Sequence, residues 1–158
     1  MSKSDKKLDI LTESLNLSDR FYENTPLPTY DFNYAKVVKV YDGDTFWIVA
    51  DNHGKIFKYP VRLFGCDCAE IRGGNEESKA KAQQAKKFVS DMLLNKIIKI
   101  DVLNGKKIDG KIINEKYGRL IAKVEFIKDD KFCDLTTELL NQNLAYAYHG
   151  GTKTKHDD

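Results

Sequence analysis

The sequence is poor in cysteine. Three copies, Cys66, Cys68 and Cys133, stand among 158 residues, and so small and odd a set excludes a disulfide framework. Proline is equally scarce, and Pro26 and Pro28 are neighbours, so most of the chain is open to regular structure. Neither sign of charge dominates: 26 Lys and Arg face 24 Asp and Glu, a formal charge of +2. Any nucleic-acid partner must therefore be met by a local basic patch rather than by overall charge. No apolar run approaches the ~20 residues needed to span a bilayer. The opening M-S-K-S-D-K-K-L-D-I-L-T-E-S holds no apolar stretch of the signal-peptide kind. These absences lead us to expect a soluble protein of a reducing compartment, intracellular and cytoplasmic, with no membrane partner. A monomer is the default.

What is present suits one domain. Hydrophobic residues make up 41 % of the chain, enough for a core at this length, and charged residues 32 %. Residues 1–33 are polar and read as an N-terminal arm, in which Leu8–Leu15 has the spacing of a short amphipathic helix; the Pro26 and Pro28 segment breaks it. Residues 34–153 read as the folded domain and 154–158 as a short polar tail. A-K-V-V-K-V-Y (35–41), F-W-I-V-A (46–50) and I-F-K-Y-P-V-R-L-F (56–64) are rich in β-branched and aromatic residues and predict three strands. Asp42-Gly43 marks the first turn. Pro60 predicts a bend or bulge in the third strand, and Trp47 is expected in the core. Ala82, Ala85, Phe88, Val89, Met92 and Leu93 recur at helical spacing, with Asn75 as candidate cap and the lysines Lys79, Lys81, Lys86 and Lys87 as the wet face. Strands follow at 97–103 and 120–126, with a loop and room for a short ribbon over 104–118. A second helix is predicted over about 133–142 with Asp134 at its start. Five strands with a helix after the third suggest a small α+β protein, a closed five-stranded β-barrel with helices, of the OB-fold type.

Three polar clusters interrupt this scaffold at strand ends: Asp42-Gly43-Asp44-Thr45, R-L-F-G-C-D-C-A-E (62–70) and E-K-Y-G-R (115–119). If Asp44 and Asp67 converge, they repel and call for a cation. Oxygen ligands without a His or Cys set point to a hard ion, Ca²⁺ or Mg²⁺. The plainer alternative for each is turn chemistry. Arg62 lies in an otherwise apolar strand, where a guanidinium is costly unless paired. It forms either an ion pair with Asp67 or Glu70, or a bidentate clamp on a phosphate. Arg119 follows Tyr117-Gly118, where a ligand can come close. Glu70 is a candidate general base or a solvated loop carboxylate. Together these groups suit a phosphodiester. Tyr146 and Tyr148 alternate with alanine; one of them, Tyr148 by choice, can stack on a base or pack on the barrel. Cys66 and Cys68 are expected to pack rather than bind metal.

D-G-D-T, then R-L-F-G-C-D-C-A-E, then K-Y-G-R-L-I-A, in that order, resemble the staphylococcal-nuclease-like, or thermonuclease, family from about Ala35 to Lys153. The resemblance implies an OB-fold barrel and a Ca²⁺-dependent endonuclease, Mg²⁺ being the lesser choice, acting on DNA and RNA with 3′-phosphate products; a small barrel groove is expected to reach single strands or frayed duplexes more easily. Asp44 and Asp67 match the calcium-ligating aspartates, and Cys68 a position that ligates through its backbone carbonyl. Arg62 and Arg119 match the phosphate-binding arginines and Glu70 the general base. Lys116 and Tyr117 match contacts to a terminal phosphate; Asp42 and Thr45 match supporting positions. One departure stands out. Where the family often has Ile-Asp-Thr-Pro-Glu or Ile-Asp-Ala-Pro-Glu, this chain has Cys66-Asp67-Cys68-Ala69-Glu70, without the proline that would stiffen the loop. The rival expectation is a barrel that has lost catalysis and binds nucleic acid or a protein partner.

Overall fold

The computed structural model describes residues 3–17, 28–69 and 75–148. The Pro26 break, Glu70 and everything after Tyr148 lie outside them. Among the described residues, α1 (Lys3–Leu17) is followed by three antiparallel strands, β1 (Tyr34–Asp42), β2 (Thr45–Asn52) and β3 (Lys55–Leu63). Then come the three-residue β4 (Cys66–Cys68), the long α2 (Glu76–Leu93) and β5 (Ile97–Val102). A ribbon of β6 (Lys107–Ile108) and β7 (Lys111–Ile112) leads to β8 (Leu120–Lys128) and β9 (Lys131–Asp134). The last elements are α3 (Leu135–Asn141) and β10 (Ala145–Ala147).

The strands run β3-β2-β1-β5-β8, with β9 appended to β8. Parallel pairing of Val61–Leu63 with Leu120–Ala122 closes the five-stranded barrel. Alternation fills it. Phe46, Ile48 and Ala50 of β2 point inward, as do Val61 and Leu63 of β3. Trp47 follows the other phase: it is half-buried on the outer face, with the Lys58 ammonium 5.5 Å from its ring centroid, and is no core residue. Pro60 does not bulge β3, because the register with β2 is unbroken from Thr45↔Arg62 to Asn52↔Lys55. It lies just before β3 gains its second neighbour, where a missing N–H is tolerated. The irregularities fall in β1 instead, between Val37 and Lys39 and between Val40 and Asp42. No described helix is long and apolar enough to cross a membrane.

Helix α2 caps the barrel. Asn75 accepts the Ser78 amide at 2.8 Å, so the N-cap expected from sequence is formed. Ala82, Ala85, Val89 and Leu93 make the buried stripe. The first hairpin turn differs by one residue from the expectation. Asp42 pairs with Thr45, so the two turn residues are Gly43 and Asp44. Gly43 is needed for space rather than for a left-handed backbone. A methyl group there would stand 2.8 Å from Cβ of Ala85 and 2.9 Å from the Cys68 sulfur. The turn carrying Asp44 is thus pressed between α2 and β4. Gly43→Ala should cost about 1–3 kcal/mol by overpacking, read from the midpoint of urea unfolding. An unchanged midpoint would show that the turn has slack.

Candidate active site

Arg62 is held by alternation and by register. It stands between the buried Val61 and Leu63, so its side chain leaves the barrel on the outer face. It lies directly across from Thr45, beside the turn residue Asp44. From there the guanidinium joins two carboxylates. One terminal nitrogen lies 3.2 Å from Asp44 Oδ2 and the other 3.1 Å from Asp67 Oδ1. The first also donates to the carbonyls of Leu63 and Cys66, both at 3.0 Å. Asp44 and Asp67 are the two buried charged residues of the described chain, at 6 % and 7 % exposure. The ion pair expected for Arg62 therefore exists, with both aspartates at once.

The aspartates are aimed by the backbone. Asp44 Oδ2 accepts the Cys68 amide at 2.8 Å, and Oδ1 accepts the Thr45 hydroxyl at 3.1 Å. The Asp44 carbonyl receives the Leu63 amide at 2.8 Å. Asp67 is the central residue of β4, which pairs with β10 through Ala145↔Cys68, Tyr146↔Asp67 and Ala147↔Cys66. Cys66 and Cys68 face the core on the other side of that ribbon. The hydrogen bond with the Cys66 sulfur, then burial, then the Asp44 charge raise the Cys68 thiol far above its ordinary value. It packs as a neutral group, as expected.

Two carboxylates share one guanidinium, so the cluster carries one net negative charge. Its side-chain donors are oxygens. That chemistry fits a hard divalent cation better than a zinc-like ion. Among the described residues no group of three or more His, Cys, Asp or Glu side chains forms a cage for a metal. A cation here would need further oxygens from backbone, solvent or substrate.

Arg119 approaches from the neighbouring strand. It immediately precedes β8, whose Ile121 pairs with Arg62 across the barrel seam. Gly118 carries φ +79°, which bends the turn as a side-chain-bearing residue rarely does. The organiser of this turn is Glu115, to which the sequence reading gave no role. Its Oε2 accepts the amides of Tyr117 at 2.7 Å and Arg119 at 2.8 Å. Its Oε1 accepts Nε of Arg119 at 3.1 Å, with the second terminal nitrogen at 3.0 Å. The Glu115 side chain is 5 % exposed. Burial alone would raise its carboxyl, but the two amides and the guanidinium outweigh that and hold it below the usual carboxylate range. Its grip on the turn is thus complete above its ordinary pKa and lost as pH falls through the lowered one. The signal in sequence was the i, i+4 spacing of Glu115 and Arg119 across a glycine.

The remaining expected residues are dispersed around this centre. Lys116 is exposed, and Tyr117 is 81 % exposed. The Arg119 guanidinium lies 5.7 Å from the Tyr117 ring centroid. Tyr148 is half-buried and its amide donates to Gly65 at 3.1 Å. Asp42 closes β1 beneath the turn.

Comparison with known proteins places the chain in a family. An uncharacterized protein of Methanocaldococcus jannaschii is 30 % identical over 138 residues, covering 76 % of this chain and 61 % of the relative. A protein of Haemophilus influenzae described as an uncharacterized endonuclease is 29 % identical over 116 residues, covering 73 % of this chain and 53 % of the relative. The chain thus spans less than two thirds of either relative. Residues 60–158, well over half of the chain, match the family described as staphylococcal nuclease homologue. The closed barrel is consistent with that match, and the chain belongs to that family.

Proposed function

We propose that this domain is a divalent-cation-dependent endonuclease, with Ca²⁺ as the preferred ion, that hydrolyses phosphodiester bonds in DNA and RNA. The observation that carries the reading is the Asp44–Arg62–Asp67 cluster, two buried carboxylates on one guanidinium at 3.2 Å and 3.1 Å. Pairing with Arg62 offsets one of the two buried carboxylates, and the charge left over suits a cation. The family match and the relative described as an endonuclease support the same reading.

Asp44 and Asp67, with the Cys68 carbonyl, would hold the cation. When bound, it supplies positive charge against the charge that grows on the phosphoryl oxygens. The rest of the chemistry belongs to side chains. Arg62 and Arg119 are planar forks suited to phosphate oxygens. Arg62 is shared with the aspartates, so a phosphate competes with them for its protons. Arg119 is held at one edge by Glu115, which leaves its orientation fixed before substrate arrives. Glu70 accepts the proton of the attacking water, and departure of the 5′-oxygen leaves a 3′-phosphate. Lys116, Tyr117 and Tyr148 contact the flanking strand. A small barrel rim accepts single strands or frayed ends more readily than an intact duplex.

Cleavage of a fluorescent single-stranded DNA with Ca²⁺ should be abolished by a chelator and restored by re-adding Ca²⁺. A strand that binds but is not cut under Ca²⁺, Mg²⁺ or Mn²⁺ would instead identify a binding module. Glu115→Ala should lower kcat/KM about 10- to 100-fold through a misplaced Arg119, and lower stability by about 1–3 kcal/mol as the two amides lose their acceptor, with the variant still folded. Parent-like kcat/KM in that variant would remove Glu115 from the account.

A further inference from the structure

The lysines of α2 do not form one wet face: Lys79 and Lys87 are exposed, but Lys86 and Lys81 are half-buried. Lys81 turns towards β10. Its ammonium lies 3.4 Å from the Tyr146 hydroxyl and 5.0 Å from the centroid of the same ring. Tyr146 is the cross-strand partner of Asp67. Directly opposed residues of an antiparallel pair project to one face, with Cβ atoms about 4.5–5.5 Å apart. Tyr146 therefore flanks the carboxylate of the cluster, and Lys81 stands beyond it in the same row.

The position of Lys81 is fixed rather than incidental. Ala85, one helical turn further along the same face, is the residue wedged against Gly43 in the turn that carries Asp44. The contact that sets the turn also sets where the ammonium can reach. Many lysines of this protein are neutralised: Lys87, Lys99, Lys106 and Lys128 each pair with a carboxylate. Among the described residues no carboxylate lies within ion-pair distance of Lys81. An ammonium has three protons to donate, and the hydroxyl contact is long.

We propose that Lys81 is a phosphate-binding residue of an outer subsite, which takes the phosphate of the nucleotide next to the scissile one as the strand crosses Tyr146. This rests on the nuclease reading and assigns the direction in which the strand leaves the cluster, over β10 towards α2. The positive charge lies off the carboxylate cluster, where it attracts the polyanion without competing for the cation. The tyrosine ring holds the ammonium in place between substrates by a cation–π contact.

The test uses full-length protein and a single-stranded DNA decamer. Affinity is measured by anisotropy in chelator across a salt series, and turnover is then measured with Ca²⁺. Lys81→Ala should weaken binding about fivefold and lower the slope of log affinity against log salt by about 0.7, the loss of one phosphate contact on a single strand. KM should rise with kcat within about twofold, and Lys81→Arg should restore both slope and KM. An unchanged salt slope, or a fall in kcat with KM unchanged, would assign Lys81 to holding Tyr146 and overturn the proposal. Parent that cleaves normally while Lys81→Ala is indistinguishable from it sinks this inference alone. Parent that neither binds nor cleaves the decamer sinks the nuclease reading with it.

Discussion

The Arg62 guanidinium is the point on which this structure turns. It must leave the barrel between Val61 and Leu63, and it must find partners there, since an unpaired charge at that depth costs several kcal/mol. Asp44 and Asp67 provide them, and each is delivered by a different piece of chain. The β1–β2 turn brings one and the β4–β10 ribbon brings the other. The amide of Cys68 ties the two together through Asp44 Oδ2. Folding this rim and assembling the charged cluster are therefore the same event. In the proposed function, the single residual negative charge is what would draw a cation to the rim and, through it, a phosphodiester.

A second arrangement repeats the theme with different parts. Arg119 is set by Glu115, a carboxylate that first builds the turn through two amides and then holds the guanidinium. Both arginines are thus preorganised by acceptors from their own surroundings, which in the proposed function would lower the reorganisation required for a phosphate. They differ in cost. Arg62 must yield contacts to its aspartates, whereas Arg119 is held along one edge only. Helix α2 is the third contributor. Its contact with Gly43 locks the turn of Asp44, and the same face of the helix carries Lys81 towards β10.

Long strands and α2 were legible in the sequence because they repeat a period over many residues. The three polar clusters were legible because each interrupts such a period at a strand end. The β4–β10 ribbon was not, since three residues are too few to display alternation, and yet it carries Asp67. The turn was misplaced by one residue because Asp-Gly suggests a left-handed turn glycine, whereas Gly43 is required by the approach of Ala85. Trp47 lies outside the core because strand phase decides: its neighbours Phe46 and Ile48 already claim the interior. Glu115 and Lys81 escaped for a common reason. A charged residue on a loop or helix face looks solvated until tertiary structure shows what it touches. The resemblance to nuclease sequences named Asp44, Asp67, Arg62 and Arg119 together, and the fold brings the first three into direct contact.

The most direct test of the account is single-turnover cleavage of a single-stranded oligonucleotide with Ca²⁺ by Arg62→Lys, beside a measurement of its thermal unfolding. Lysine keeps the charge that offsets Asp44 and Asp67 but loses the planar fork. The account predicts a cooperatively folded variant whose cleavage rate falls by about 100-fold or more. A variant that is folded and cuts at the parental rate would show that the Asp44–Arg62–Asp67 cluster is only structural, and that any chemistry of this chain lies elsewhere.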